Sequence, residues 1–415
     1  MSPERQRLAV VGGGVAGIVA AHLLQRHYEV TIWEAGNYLG GHTNTVVIPK
    51  GPDEGLAVDT GFIVFNLKTY PKFVRFLREL EVAWQDSDMS FGYECAVSNW
   101  VYGGHDIKSF FADRANLGRP RFWRFAFDLL RLNWLGTRFA LHGDSHATLR
   151  EFLKGFSSDL IRHYIEPIGA SIWSSPTQDI LDFPALSFFR FFHHHGLMKL
   201  WNRPQWLTVK RGSHQYVNAF RRQFRGEIRL NSAVSAVVPT AQGFQIWKDG
   251  QAFDFDAVVL ATHADVSLSL LPQATELQRT LLGAWRYLHN TATLHGDTRL
   301  LPANPAARSS WNYRRLSDGL MPSLTYDMNR LQQLPTARPY LVSLNGVEQI
   351  EESTVVGQWR YAHPLYDVRS MSTQPRLSEL NRDGMAFCGS YHGYGFHEDA
   401  TASAVRAAAD LGVKW

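Results

Sequence analysis

A glycine-rich turn set between an apolar strand and an apolar helix constrains this chain more than any other feature. Leu8, Ala9, Val10 and Val11 form a short apolar run, Gly12-Gly13-Gly14-Val15-Ala16-Gly17 follows, and residues 18–24 continue as an apolar, helix-like stretch. Gly12, Gly14 and Gly17 make the pattern G-x-G-x-x-G. The first glycine turns the chain, the second lets a pyrophosphate approach the backbone, and the third lets helix and strand pack closely. An anion there rests on the unpaired N–H groups and the dipole of the helix N-terminus. Residues 28–33 supply a second strand ending in Glu34, about 20 residues past the first glycine, where a carboxylate suits the ribose hydroxyls of an adenosine. Strand, glycines, helix, strand and acid in that order predict a bound dinucleotide rather than an empty turn.

With 415 residues the chain has length for two to three domains or one large discontinuous one. Apolar residues at 45% and charged residues at 19% exclude wholesale disorder, coiled coils and collagen-like repeats. A net charge of +4 demands no polyanionic partner, so nucleic acid is not expected. Cys95 and Cys388 make no disulfide framework and no metal-ligand pair, which points to a reducing compartment. No run approaches the roughly 18 to 20 apolar residues of a spanning helix, and the apolar stretch after Arg7 is too short for a signal peptide. The expected location is the cytoplasm. The oddity is the aromatic load of 25 Phe, 15 Tyr and 13 Trp, which needs a large core or a ligand.

Beyond Glu34 and Ala35 comes a second glycine turn, Leu39-Gly40-Gly41-His42-Thr43, then Asp59-Thr60-Gly61-Phe62. Here the sequence resembles the flavin-containing amine oxidase and phytoene-desaturase superfamily, whose members bind FAD. Those families usually carry an arginine where this chain has His42, so a weaker pyrophosphate contact or another task is expected of that imidazole. The chain is more closely similar to a bacterial branch of predicted NAD/FAD-binding oxidoreductases. That likeness is carried by Gly40-Gly41-His42-Thr43, residues 59–66, Met89-Ser90-Phe91, Ile172-Trp173-Ser174, Arg203-Pro204-Gln205-Trp206 and residues 393–399, and so spans nearly the whole chain.

At the far end, residues 385–388 read as an apolar strand, Gly389 breaks it, a loop rich in glycine and aromatics follows, and Glu398-Asp399 opens an alanine-rich helix to about Leu411. Acids in that first turn cap the helix. The resemblance implies that Gly389 lies near the ribityl-pyrophosphate and the Glu398-Asp399 backbone near the flavin ring; Gly395 is a further candidate for cofactor binding. Cys388, inside the strand, reads as a small buried residue rather than a flavin tether.

Residues 210–213 and a helix-like stretch from Gln215 to Phe224 read as a return to the first domain. Strands are expected over 228–238, 245–247 and 257–260. Resemblance places Val234 at the adenine and Ala261 after the returning strand. The expected fold is α/β: a Rossmann-like FAD domain from residues 1–66, 208–285 and 376–415, and an inserted substrate domain from 67–207 and 286–375. Residues 67–207 look mostly helical, and 290–363 shows short alternating runs of an antiparallel sheet.

Residues 119–138 hold Arg119, Arg121, Arg124, Arg131 and Arg138 against one acid, Asp128, a local excess equal to the +4 of the whole chain. With Phe122, Trp123, Phe125, Phe127, Leu130 and Trp134 interleaved, the segment reads either as a surface helix packed on its apolar side or as a contact with the anionic inner face of a membrane. His193-His194-His195 lacks accompanying metal ligands and reads as a cavity wall or an exposed turn; no metal is expected.

Flavin chemistry requires a substrate C–H bond held over the reactive ring, for which Phe62, Tyr391, His392, Tyr394 and His397 are the candidate catalytic residues. The aromatics can line a flat slot and the histidines can move a proton near neutral pH. Trp173, Trp206, Trp311, Met328 and Trp359 are further candidates for the wall. Members of the closer branch are commonly associated with cyclopropane-type fatty-acid methyltransferases, so the resemblance implies an acyl-lipid substrate and FAD-dependent desaturation of a modified unsaturated fatty acyl chain. Amine oxidation, redox-neutral double-bond isomerisation and a non-catalytic flavin-binding module are the alternatives.

Overall fold

In a computed structural model, residues 5–143, 147–173, 180–199, 203–317 and 322–415 are described; Ser174 of the Ile172-Trp173-Ser174 segment lies outside them. Five parallel strands form the sheet beneath the glycine turn, in the order Glu227–Arg229, Glu29–Trp33, Arg7–Val11, Ala257–Leu260, Met385–Phe387. Three distant stretches of sequence therefore meet in one sheet, and both its faces are covered, which is why the strands read as unbroken apolar runs. Alternation sorts their side chains. Leu8, Val10, Ala257 and Val259 join the core shared with the helices Val15–Leu24 and His397–Asp410, whose alanines allow close approach. Ala9, Val11, Val258 and Leu260 face the opposite way, into the core shared with Phe244, Ile246 and Phe255 of the antiparallel strands Gly243–Lys248 and Gln251–Phe255.

A second, seven-stranded sheet runs Val355–Pro364, Tyr287–His295, Leu341–Leu344, Ser323–Asp327, Trp311–Arg315, Phe91–Cys95, Trp100–Gly103. Two of its strands come from the stretch that reads as mostly helical, and Trp311–Arg315 pairs with Phe91–Cys95 in parallel rather than antiparallel fashion. Short runs such as Phe91–Cys95 have no periodicity that separates strand from helix, so pairing partners more than 200 residues away decide.

Helices Pro120–His142 and Ala185–His194 pack outside this sheet. Phe188, Phe189, Phe191 and Phe192 are all buried, and Gly136 is the reason the two helices can close: a Cβ there would lie 2.5 Å from the Phe189 ring. Much of the aromatic load is this core.

Candidate active site

The turn after the first strand is shaped by steric need. Gly12 sits at φ +105°, and a Cβ on it would meet the Ala261 carbonyl oxygen at 2.8 Å. A Cβ on Gly17 would come within 1.9 Å of the Gly12 carbonyl oxygen, so only glycine lets the helix pack there. Gly14 is different: a Cβ on it would meet nothing within 4 Å, and its φ is an ordinary −72°. Its space opens into a cavity of about 770 Å³. The helix that starts at Val15 has neither a side-chain cap nor an acid in its first turn, leaving its amides to an anion. Glu34 accepts hydrogen bonds from the backbone N–H groups of Gly13 and Gly36, both at 2.7 Å, which fixes the carboxylate beside the turn. Gly40 donates to the Gly13 carbonyl at 2.8 Å, stacking the second glycine turn on the first. These features fit a dinucleotide: uncapped amides for the pyrophosphate, an open Cβ position, and a fixed acid.

Of the residues expected at the cofactor, Gly12, Gly14, Val15, Ala16, Glu34, Ala35, Gly40, Gly41, His42, Gly61, Phe62, Val234, Ala261, Gly389 and Gly395 line this cavity. Gly17 and Thr43 do not; the first packs helix on strand and the second is wholly buried against Tyr216 and His397. Glu398 and Asp399 do not line it either, although their neighbours His397 and Ala400 do. The Glu398 carboxylate caps the helix Pro71–Glu79 through the N–H groups of Lys72 and Phe73, and Asp399 accepts from the Phe396 N–H at 2.9 Å. Both border a smaller cleft of about 330 Å³.

Among the candidate catalytic residues, Phe62, Tyr391, Tyr394 and His397 border the large cavity and His392 does not. His392 lies beside Tyr391, their ring centroids 4.6 Å apart, and desolvation lowers its pKa to about 3. His397 is also unsuited to moving a proton. Its Nε2 is within 3.0 Å of the Thr43 hydroxyl and 3.3 Å of Tyr216, its ring stacks on Phe62 at 3.5 Å, and burial holds its pKa well below the ordinary value. The imidazole is neutral and positions Phe62. Phe62 is set from the other side as well, because its N–H donates to the His42 carbonyl and Gly61 leaves no room there for a Cβ. Asp59, which opens this segment, is a buried latch: Thr45, Ser213 and Gln332 all donate to its carboxylate, while burial pushes its pKa up to about 7.

Trp173, Trp206 and Trp311 line the cavity; Met328 and Trp359 belong to the core under the second sheet. His195 lines it too, its Nδ1 held 3.0 Å from the Phe191 carbonyl, whereas His193 and His194 face the small cleft. Among the described residues no group of His, Cys, Asp and Glu side chains is placed to hold a metal ion. Cys388 is buried, outside the cavity, with its thiol pushed up to about 12 by burial.

The feature that sequence reading missed is a histidine rim. His42 faces His263 at 6.0 Å and His363 at 5.2 Å, with Tyr361 at 5.0 Å. Desolvation lowers His42 and His263 to about 4 and His363 to about 3, so all three are uncharged at pH 7. The one signal was His42 standing where relatives have arginine; its partners lie more than 200 residues away. Among the described lining residues Glu34 is the only acid, and there is no Lys or Arg. The rest of the wall is mostly apolar and aromatic, with the hydroxyl residues Thr60, Ser171, Ser232, Thr262, Ser269 and Ser390 among it.

Residues 15–295 match the family of flavin containing amine oxidoreductases. The fold is shared with putrescine oxidase bound to putrescine (TM-score 0.71, 15% identity, 98% of this chain and 99% of that one covered). It is shared too with cyclohexylamine oxidase from Brevibacterium oxydans (0.70, 13%, 99% and 100%) and a CLA-producing fatty acid isomerase from P. acnes (0.68, 12%, 96% and 97%). Comparison with curated proteins gives no match. Glycine cradle, cavity and family match agree: the chain belongs to the flavin containing amine oxidoreductases and is an FAD-dependent oxidoreductase.

Proposed function

We propose that this enzyme desaturates an acyl chain, most specifically a modified unsaturated fatty acyl chain. The observation that carries the reading is the character of the wall. Phe62, Ile172, Trp173, Phe191, Leu197 and Trp311 offer an apolar slot, and the only carboxylate among the described lining residues is already bonded beside the glycine turn. An ammonium substrate would find no counter-charge there, whereas a hydrocarbon chain exchanges water for matching surface. The likeness to a branch commonly associated with cyclopropane-type fatty-acid methyltransferases supports the same substrate class.

FAD, when bound, would supply the two-electron acceptor, and the turns at Gly12 to Ala16 and Gly40 to His42 together with Glu34 would hold it. The protein's part is to orient and desolvate. Phe62, locked by His397, and the rings of Tyr391 and Tyr394 flatten the slot and keep water from the reacting carbons. In the reaction two C–H bonds on adjacent carbons break, one hydrogen leaves as hydride and the other as a proton, and a C=C bond forms. The proton passes to solvent water: His195, which borders both the cavity and the smaller cleft with its Nδ1–H committed to the Phe191 carbonyl, presents Nε2 along that route and, with its pKa lowered to about 4 by burial, does not retain the proton.

The test is to extract lipids that co-purify with the FAD-loaded protein, return them, and weigh the products. A product two hydrogens lighter supports desaturation. A product of unchanged mass with a moved double bond selects isomerisation, the activity named for the P. acnes fold relative. No acyl lipid retained or converted overturns the reading.

A further inference from the structure

The helix Pro120–His142 has two apolar faces, and the fold uses only one. Phe122, Phe125, Leu132, Gly136 and Ala140 are buried against the core. On the far side Trp123, Phe127, Leu130, Trp134 and Leu141 are each 50–65% exposed. At 100° per residue these five fall within an arc of about 60°, directly opposite the buried face, and run about 27 Å along the axis. Leu117, also exposed, adjoins the stripe, because the Trp123 indole N–H donates to its carbonyl at 3.0 Å. A contiguous row of large side chains of this kind is not a scatter of ordinary surface residues.

Charge flanks the stripe on one side. Arg138, Arg131 and Arg124 follow at successively wider angles from its centre. The Arg138 guanidinium sits 4.9 Å from the Trp134 ring, and Arg131 sits over Phe156 while donating to the Gly155 carbonyl. The helix's one acid, Asp128, is turned inward and buried, where it accepts from the Ser157 N–H. No carboxylate of the helix therefore opposes the row. Aromatic and leucine side chains on one line, arginines beside them and no acid between are the chemistry of a helix that lies in an anionic membrane interface. None of the described helices is long and apolar enough to cross a membrane, so the geometry is that of lying on it.

We infer that this outer face docks the protein on a bilayer bearing anionic headgroups, with the indoles and Phe127 inserted at the headgroup level and the arginines on the phosphates. Its partner is the lipid surface, whatever chemistry the cavity performs.

Vesicle co-sedimentation of the FAD-loaded full chain tests it, using phosphatidylcholine alone and phosphatidylcholine mixed with phosphatidylglycerol. Binding is expected to the mixed vesicles at least roughly tenfold above the neutral ones, and to weaken as salt is raised. Changing Trp123→Ser, Phe127→Ser and Trp134→Ser together should abolish it, and Arg124→Glu with Arg138→Glu should remove the preference for phosphatidylglycerol. Both variants should keep wild-type flavin content and circular dichroism, since these side chains point away from the core. Absence of binding to the mixed vesicles, equal binding to both kinds, or a dimer that the triple change splits into monomers would overturn the inference. Lipid turnover in detergent is a separate readout, so failure to dock and failure of the acyl reading are distinguishable.

Discussion

The glycine cradle and the aromatic wall border the same cavity but are built by opposite logics. In the cradle, a few adjacent residues meet steric limits that local sequence states outright: Gly12 at positive φ, Gly17 against the Gly12 carbonyl, Gly14 facing open space. In the wall, Phe62, Ile172, Phe191, Trp311 and the imidazoles of His42, His263 and His363 arrive from widely separated stretches of chain, and each position requires only something apolar or uncharged. The cradle fixes which cofactor is held. The wall fixes what is brought to it, and many sequences could have made it.

Substitutions at two glycines should break the comparison most sharply. Gly17→Val should yield no folded, flavin-containing protein, because the helix cannot approach the strand. Gly14→Val should fold with a wild-type melting profile yet bind FAD roughly 1,000-fold more weakly, about 4 kcal/mol, since its side chain enters only the cavity. Titration with FAD alongside circular dichroism separates the two.

Acid should reveal the wall. His42, His263 and His363 have native pKa values of about 4, 4 and 3 against roughly 6.5 when unfolded. Below pH 6.5 the unfolded chain takes up protons that the native rim refuses, so stability contributed by these groups is present above that pH and lost as pH falls toward 4. Each imidazole accounts for at most about 1.4 kcal/mol per pH unit in that window. Asp59 and Asp399, both raised to about 7, act in the opposite sense between pH 4 and 7. With His163, His195 and His295 also lowered to about 4 by burial, the histidines prevail, and the melting temperature should drop between pH 7 and 5. A flat or rising profile would mean that the rim is charged.

Ile172→Asp should sharpen the wall's side of the contrast. A carboxylate in the slot should leave FAD content unchanged and lower kcat/KM for an acyl substrate roughly 100-fold, about 3 kcal/mol. The smallest effect is expected at His397. His397→Phe should change kcat within about twofold and leave the pH–rate profile in place, because the imidazole positions Phe62 and carries no proton. Loss of one limb of that profile would restore His397 as an acid or base.

The same contrast explains what sequence alone disclosed. Glycine spacing was legible because Gly17 answers to a steric limit within the turn itself, Glu34 because it ends the next strand at a recognisable distance, and the returning apolar strand at Ala257–Leu260 through its resemblance to known relatives, its partners being strands at the two ends of the chain. Glu398 was legible as a cap but not as the cap of another helix, since Pro71–Glu79 reaches it only through tertiary packing. His392 and His397 looked like proton carriers because residue type signals chemistry while burial does not show in sequence. The outward stripe of Pro120–His142 was half visible: its arginines and aromatics stood out, but only the packed structure distinguishes the face turned to the core from the one turned away.

The central claim is that the cavity serves a hydrocarbon chain beside FAD, and anaerobic mixing tests it most directly. The oxidised flavin's visible absorbance should be lost on adding an unsaturated, methyl-branched or cyclopropane-bearing acyl lipid and should persist with putrescine or cyclohexylamine. Bleaching by the amines with no response to any acyl lipid would contradict the account.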